Sequence, residues 1–165
     1  MYAAIAWHPI AKLTLTAYTD YAYHPWPRYG VSAPSHSWDN MLQTSFQPNR
    51  KWTLSARYRL RLRQKDYKEN DKAKTQLADK NEQRARLTVG YESGIWKTKT
   101  QIDAAYTLIT PPLSSTIASK GWMALQTIAV RLGRFTLAAN AAYFHTDDYD
   151  SRLYAYERTT LYNFS

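Results

Sequence analysis

One stretch, residues 51–67, KWTLSARYRLRLRQKDY, restricts what this chain can fold into more than any other. Its even positions read Trp52, Leu54, Ala56, Tyr58, Leu60 and Leu62, and its odd positions Thr53, Ser55, Arg57, Arg59, Arg61 and Arg63. Successive side chains of a strand point to opposite faces, whereas a helix would mix the two sets. As a strand, the stretch therefore carries an apolar row on one face and four arginines in line on the other. A strand rising about 3.3 Å per residue crosses a bilayer at the usual tilt with about 9 to 11 residues, and this stretch has that reach. The expectation is a membrane-spanning β-strand.

Composition agrees without deciding the matter. The chain has 165 residues, 44% of them hydrophobic and 21% charged, which argues for one folded unit rather than disorder. A mean hydropathy of −0.60, with no apolar run near the roughly eighteen residues a transmembrane helix needs, excludes such a helix. It does not exclude a barrel, whose strands alternate apolar with polar residues. Six tryptophans and fourteen tyrosines supply the amphipathic rings that collect where water meets lipid. The formal charge of +9 favours anionic partners: phosphates, carboxylates, lipopolysaccharide headgroups or nucleic acid. The absence of cysteine excludes disulfides, thiolate metal sites and thiol nucleophiles, and leaves the compartment open. Met1 opens directly into YAAIAW with no secretory signal pattern, so an exported chain would have to be an internal piece or carry mature numbering.

Further strands are expected over residues 2–7, 13–23, 38–46, 84–92, 96–108, 122–132, 135–144 and 152–164, which with the arginine strand makes about nine. Between them lie a proline-rich loop at 24–37, a tight turn at 47–50, a charged loop at 66–81, a loop from Pro111 to the region of Gly121, and a polar tip at 145–150. Turns at Pro9, Pro48, Gly94 and Gly133 are short, and the connections between them are long. Every other connection of an up-and-down antiparallel barrel lies on the same rim, and outer-membrane barrels have short turns on one rim and long loops on the other. Aromatic residues fall near both rims: Trp7, Phe46, Trp52, Trp96 and Phe135 beside the short turns, and Tyr23, Trp38, Tyr106, Trp122 and Phe144 beside the long loops. Trp7, Trp38, Trp52, Trp96, Tyr106 and Trp122 are the core of these expected girdles.

The fold expected is thus all-β, an antiparallel up-and-down meander of about nine strands over residues 1–165, forming part of a transmembrane outer-membrane β-barrel. Single-chain bacterial barrels have even strand numbers, so the sheet is expected to be a fragment of a larger barrel and not fully closed. Leu54, Tyr58, Leu60, Leu62, Leu87, Val89 and Ile102 form the expected lipid-facing stripe. Arg57, Arg59, Arg61, Arg63, Arg84, Arg86, Lys97 and Lys99 form a lumen-facing basic ladder, because a charge facing the bilayer midplane costs roughly 2 to 4 kcal/mol. Such a ladder lines an anion-selective pore or is neutralised by carboxylates, with Asp20, Asp39, Glu82, Glu92 and Asp103 in reach.

Three passages, PWPRYGVSAPS at 25–35, the arginine strand, and DYDSRLYAYERTTLYNFS at 148–165, resemble the outer-membrane barrel region of Bacteroidetes-type envelope proteins in which a small helix-hairpin-helix domain precedes the barrel. The resemblance implies further segments on both sides of the barrel part. It also implies a DNA-handling role for the parent protein, since the helix-hairpin-helix module is of a DNA-binding type.

No enzymatic activity and no cofactor are expected. Ser35, His36 and Ser37 lack the spacing that would bring a base and an orienting acid to a nucleophile. Asp147, Asp148 and Asp150 gather hard oxygen ligands beside the His145 imidazole, but without the glycine turn and terminal glutamate of an EF-hand loop. The function expected is that of a pore, transport or envelope-structural component in the outer membrane of a Gram-negative bacterium, in contact with membrane lipid, lipopolysaccharide and small anions. The alternative is a soluble basic β-sheet protein that binds single-stranded nucleic acid through arginines and aromatics. That alternative needs a protein layer over the Leu54–Leu62 face, and no helix is in prospect to supply it.

Overall fold

Alternation of apolar and polar residues sets the whole architecture. A computed structural model describes residues 1–68, 76–112, 115–148, 151 and 153. Among the described residues, eight strands lie in chain order in a single antiparallel sheet: β1 (Tyr2–Ile10), β2 (Leu13–His24), β3 (Ser35–Phe46), β4 (Trp52–Tyr67), β5 (Gln76–Ser93), β6 (Trp96–Thr110), β7 (Ile117–Leu132) and β8 (Phe135–Thr146). Each strand pairs with its sequence neighbours, and β1 does not pair with β8, so the sheet is open. The long strand of the sequence is β4, with its arginines on one face and its Trp52-to-Leu62 row on the other.

The turns follow from local chemistry. Asn49 Oδ1 accepts from the backbone N–H groups of Lys51 and Trp52, each at 3.0 Å, and so closes the β3–β4 connection. Gly133 turns the chain between β7 and β8 with φ at 62°, a conformation that side chains disfavour. Pro9 falls inside β1, where the register slips between Trp7 and Ile10. An edge strand tolerates this, because a missing N–H at a bulge breaks no inner ladder.

Several strands are longer than their alternation suggests. Ser35, His36 and Ser37 belong to β3 rather than to the preceding loop. Asp66 and Tyr67 end β4, and Gln76 to Asn81 begin β5, so both ends of the expected charged loop of 66–81 are strand, and residues 69–75 lie outside the described residues. The segment from Ile117 to Gly121 is strand β7 rather than loop. Alternation of short and long connections persists after these corrections. The expected ninth strand at 152–164 lies outside the described residues except for Leu153.

The register sorts side chains into two faces. One row reads Asp39, Arg61, Glu82, Thr107, Ser119; the next reads Met41, Arg59, Arg84, Ala105, Gly121; the next reads Gln43, Arg57, Arg86, Asp103, Met123. The buried charges lie on this polar face: Lys80, Glu82 and Asp103 are only 4%, 6% and 2% exposed. The opposite face bears the apolar rows, and there Leu87 and Ile102 are each 48% exposed. Of the five buried apolar residues among those described, Ala78, Ala105, Met123 and Ala129 also lie on the arginine side. The packed interior is therefore the polar side of the sheet.

Candidate functional site

The basic ladder forms where β3, β4, β5 and β6 meet. Arg57, Arg59, Arg61, Arg63, Arg84, Arg86, Lys97 and Lys99 all fall on the polar face by register. Direct pairing sets Arg57 opposite Arg86 and Arg59 opposite Arg84, two like-charge pairs across the β4–β5 ladder. Such pairs are unfavourable unless counter-charge enters.

Three carboxylates supply most of it. Arg59 donates through Nε and Nη2 to the two oxygens of Asp39, at 2.8 and 2.5 Å. Arg61 donates to Asp39 Oδ2 through Nε and Nη2, both at 3.1 Å. Glu82 accepts from Arg63 at 2.8 Å and pairs with Lys80 at 3.0 Å, with Arg61 3.8 Å away. Asp103 accepts from Arg86 Nε at 2.5 Å and from Gln101 Nε2 at 2.7 Å. These are charge-assisted bonds, stronger than neutral ones, in which the carboxylates are largely withdrawn from water while the arginine side chains stay about a third exposed. Of the acidic partners expected from sequence, Asp39, Glu82 and Asp103 meet the arginines. Glu92 instead pairs with Lys97 at 2.9 Å, well exposed, and Asp20 faces Asp39 across β2 and β3.

Compensation is uneven. Among the described residues, the Arg57 side chain donates only to the neutral Gln43 Oε1, at 2.8 Å, and Arg84 has no ion pair or hydrogen bond. Arg57, Arg59, Arg84 and Arg86, with Asp103 and Leu153, line a cavity of about 250 Å³ on the polar face. Which arginines are neutralised depends on register and so carries no signal in the pattern of residues along the chain.

The apolar face places every stripe residue, Leu54, Tyr58, Leu60, Leu62, Leu87, Val89 and Ile102, on the side opposite the arginines. Trp7, Trp38, Trp52, Trp96, Tyr106 and Trp122 share that side. Phe144 does not: it stands opposite Met123 on the polar face, and its neighbour Tyr143 takes the outer position, packed on Trp122 with ring centroids 5.2 Å apart. Trp52 and Tyr91 make a similar pair at the short-turn rim, at 4.8 Å. Polar tips on this face find partners, as Trp38 Nε1 donates to Thr19 at 2.7 Å and Tyr58 to Gln83 at 2.9 Å. A groove of about 530 Å³, floored by Ala56, Ala85 and Ala104 between Leu42, Leu87 and Ile102, opens here.

Two anchors were not legible in the sequence. Asp66 Oδ1 accepts from both the N–H and the hydroxyl of Ser32, at 2.9 and 3.0 Å, and the Asp66 N–H donates to Gly30 O at 3.0 Å. This ties the proline-rich loop to the end of β4. Ser151, fully buried, donates from Oγ to the carbonyls of Lys120 and Asp148 and accepts from Ser119 Oγ at 2.8 Å. A methyl group at Gly121 would overlap the Ser151 carbonyl, so glycine permits this approach of chain to the polar face.

The acidic tip offers little to a metal. His145 Nε2 lies 3.4 Å from Asp147, whose other oxygen accepts from the Lys120 N–H at 3.2 Å; Asp150 lies outside the described residues. No group of three potential ligands gathers among the described residues. Ser35 and Ser37 face the polar side while His36 faces outward, so these three do not converge. No family model, curated protein or solved structure matches the chain.

Proposed function

We propose that the chain forms part of a β-barrel in the outer membrane of a Gram-negative bacterium, with an arginine-rich lumen, and acts as a pore, transport or envelope-structural component without chemistry of its own. The observation that carries this reading is the inverted amphipathicity of the sheet: Lys80, Glu82 and Asp103 are buried on one face while leucine, isoleucine and tryptophan stand exposed on the other. In water that arrangement forfeits the main driving force of folding; in lipid it places each face in its preferred solvent. The dimensions agree. From Trp96 to Tyr106 on β6 there are ten residue steps, which at about 3.3 Å each and a tilt of about 40° span about 25 Å, the height of the apolar band of an outer-membrane barrel.

The open edges fit the same reading. Backbone groups on β1 and β8 left unpaired in hydrocarbon would each cost several kcal/mol, on the order of an unmade hydrogen bond in an apolar medium, so both edges take strand partners to close the barrel. The resemblance to Bacteroidetes-type envelope barrels belongs to this proposal, and DNA handling enters only through it. The soluble nucleic-acid-binding alternative calls for a covering layer on the apolar face, and none of the eight strands lies over it. Refolding from urea tests the reading. The chain should stay in solution and gain β-structure only with detergent micelles or phospholipid vesicles; recovery as a detergent-free soluble monomer would overturn it.

A further inference from the structure

The polar face is not uniformly neutralised. Along the ladder, Arg57, Arg59, Arg61, Arg63, Arg84 and Arg86 meet only Asp39, Glu82 and Asp103 as carboxylate partners among the described residues. The deficit is concentrated at one end. Asp39 and Glu82 serve the Arg59-to-Arg63 portion and Lys80, while Arg57 has only an amide oxygen and Arg84 has no partner among the described residues. These two unneutralised guanidinium groups project into the same cavity as Arg59 and Arg86.

We propose that this cavity is a binding site for a small phosphate-type oxyanion, held chiefly by Arg57 and Arg84. Cross-strand pairing sets Arg57 beside Arg86 and Arg84 beside Arg59, so four guanidinium forks surround one space from two adjacent strands. A guanidinium fork matches the spacing of two oxygens on phosphorus, and an anion between the strands removes both like-charge repulsions at once. Asp39 and Asp103 already occupy one fork each on Arg59 and Arg86, which fixes those side chains and leaves Arg57 and Arg84 as the groups with donors to give. The ligand is small: about 250 Å³ falls below the roughly 300–1,000 Å³ of pockets that enclose drug-sized molecules. Leu153 forms an apolar wall on one side, where the chain anchored by Ser151 approaches the ladder. The cavity opens on the face opposite the apolar rows, so its anion comes from the aqueous side as free phosphate and not from a lipid headgroup.

The site rests on the barrel reading only in being lumenal; its side-chain geometry stands without it. The test uses the full chain refolded in neutral detergent micelles, titrated with inorganic phosphate by calorimetry at constant ionic strength. Saturable binding is expected, weakened about tenfold or more by Arg84→Gln or Arg57→Gln, as loss of a charged hydrogen-bonding partner implies. Arg63→Gln, whose partner Glu82 keeps Lys80, should change affinity by less than about twofold. Because Arg84→Gln removes a repelled charge, its urea midpoint should equal or exceed that of the parent; should it fail to fold, Arg57→Gln carries the test. No saturable phosphate heat, equal loss in Arg63→Gln, or binding of lipid A vesicles with no binding of inorganic phosphate would each overturn the proposal. Any of these with detergent-dependent folding intact would leave the barrel reading standing, whereas folding without detergent would remove the barrel reading alone.

Discussion

Replacing Ile102 with arginine puts the membrane reading under direct load. Ile102 sits on the apolar face of β6, six residue steps from Trp96 and four from Tyr106, which the proposed barrel would place about 15 Å and 10 Å apart along the membrane normal once tilt is included. It is 48% exposed and lies between Leu87 and Ala124, with no carboxylate opposite it in the register. An arginine near the midplane of a barrel costs about 2 to 4 kcal/mol, while one near the interface costs about 0 to 1 kcal/mol. Thr98, on the same face and two residues from Trp96, is the interfacial control. Ile102→Arg should therefore lose about 1 to 4 kcal/mol relative to Thr98→Arg in urea unfolding from phosphatidylcholine vesicles, followed by tryptophan fluorescence. In water the order would differ, since arginine on an already exposed surface changes stability by only a few tenths of a kcal/mol, roughly. Equal costs at the two positions would refute the assignment of this face to lipid.

Three further outcomes follow from particular contacts. Asp103→Ala removes the carboxylate that holds Arg86 and Gln101, and should cost about 1 to 3 kcal/mol by urea midpoint, towards the lower end because the Arg86 side chain is 36% exposed. Asp66→Ala releases Ser32, so trypsin should cut after Arg28 faster in the variant while the β4–β5 region keeps its protection. Gly121→Ala pushes against the Ser151 carbonyl and the Thr146 methyl group; a thiol introduced by Ser151→Cys, buried in the parent, should become reactive to maleimide in the double variant.

The middle of each strand could be read from the sequence and the ends could not, for a physical reason. Between the aromatic rows, the outer face of β4 runs Trp52 to Leu62 against arginines, and the contrast marks both strand and face. Beyond that band the same face carries Gln64 and Asp66 on β4 and Asn81 and Asp79 on β5. Polar residues then stand on both sides, periodicity disappears, and paired strand looks like charged loop. Lys80 illustrates the point: in a run of charge it reads as solvated, yet its register beside Arg63 and its bond to Glu82 bury it almost completely. The ladder itself was legible as residue types on one face. Which arginines keep a carboxylate was not, because Asp39 and Asp103 come from β3 and β6 and reach Arg59 and Arg86 only through the pairing register. Ser151 on the polar face had no sequence signal apart from Gly121, which a strand does not otherwise need.

The central claim is that the apolar face meets lipid and the arginine face does not. A nitroxide scan along β5 from Ala85 to Tyr91, one cysteine at a time in the vesicle-inserted protein, measures this directly. Collisions with oxygen, which concentrates in the bilayer, should peak at Ala85, Leu87, Val89 and Tyr91, and collisions with a water-soluble nickel chelate should peak at Arg86, Thr88 and Gly90. Loss of the two-residue alternation, or chelate access at Leu87 and Val89 equal to that at Arg86, would contradict the account.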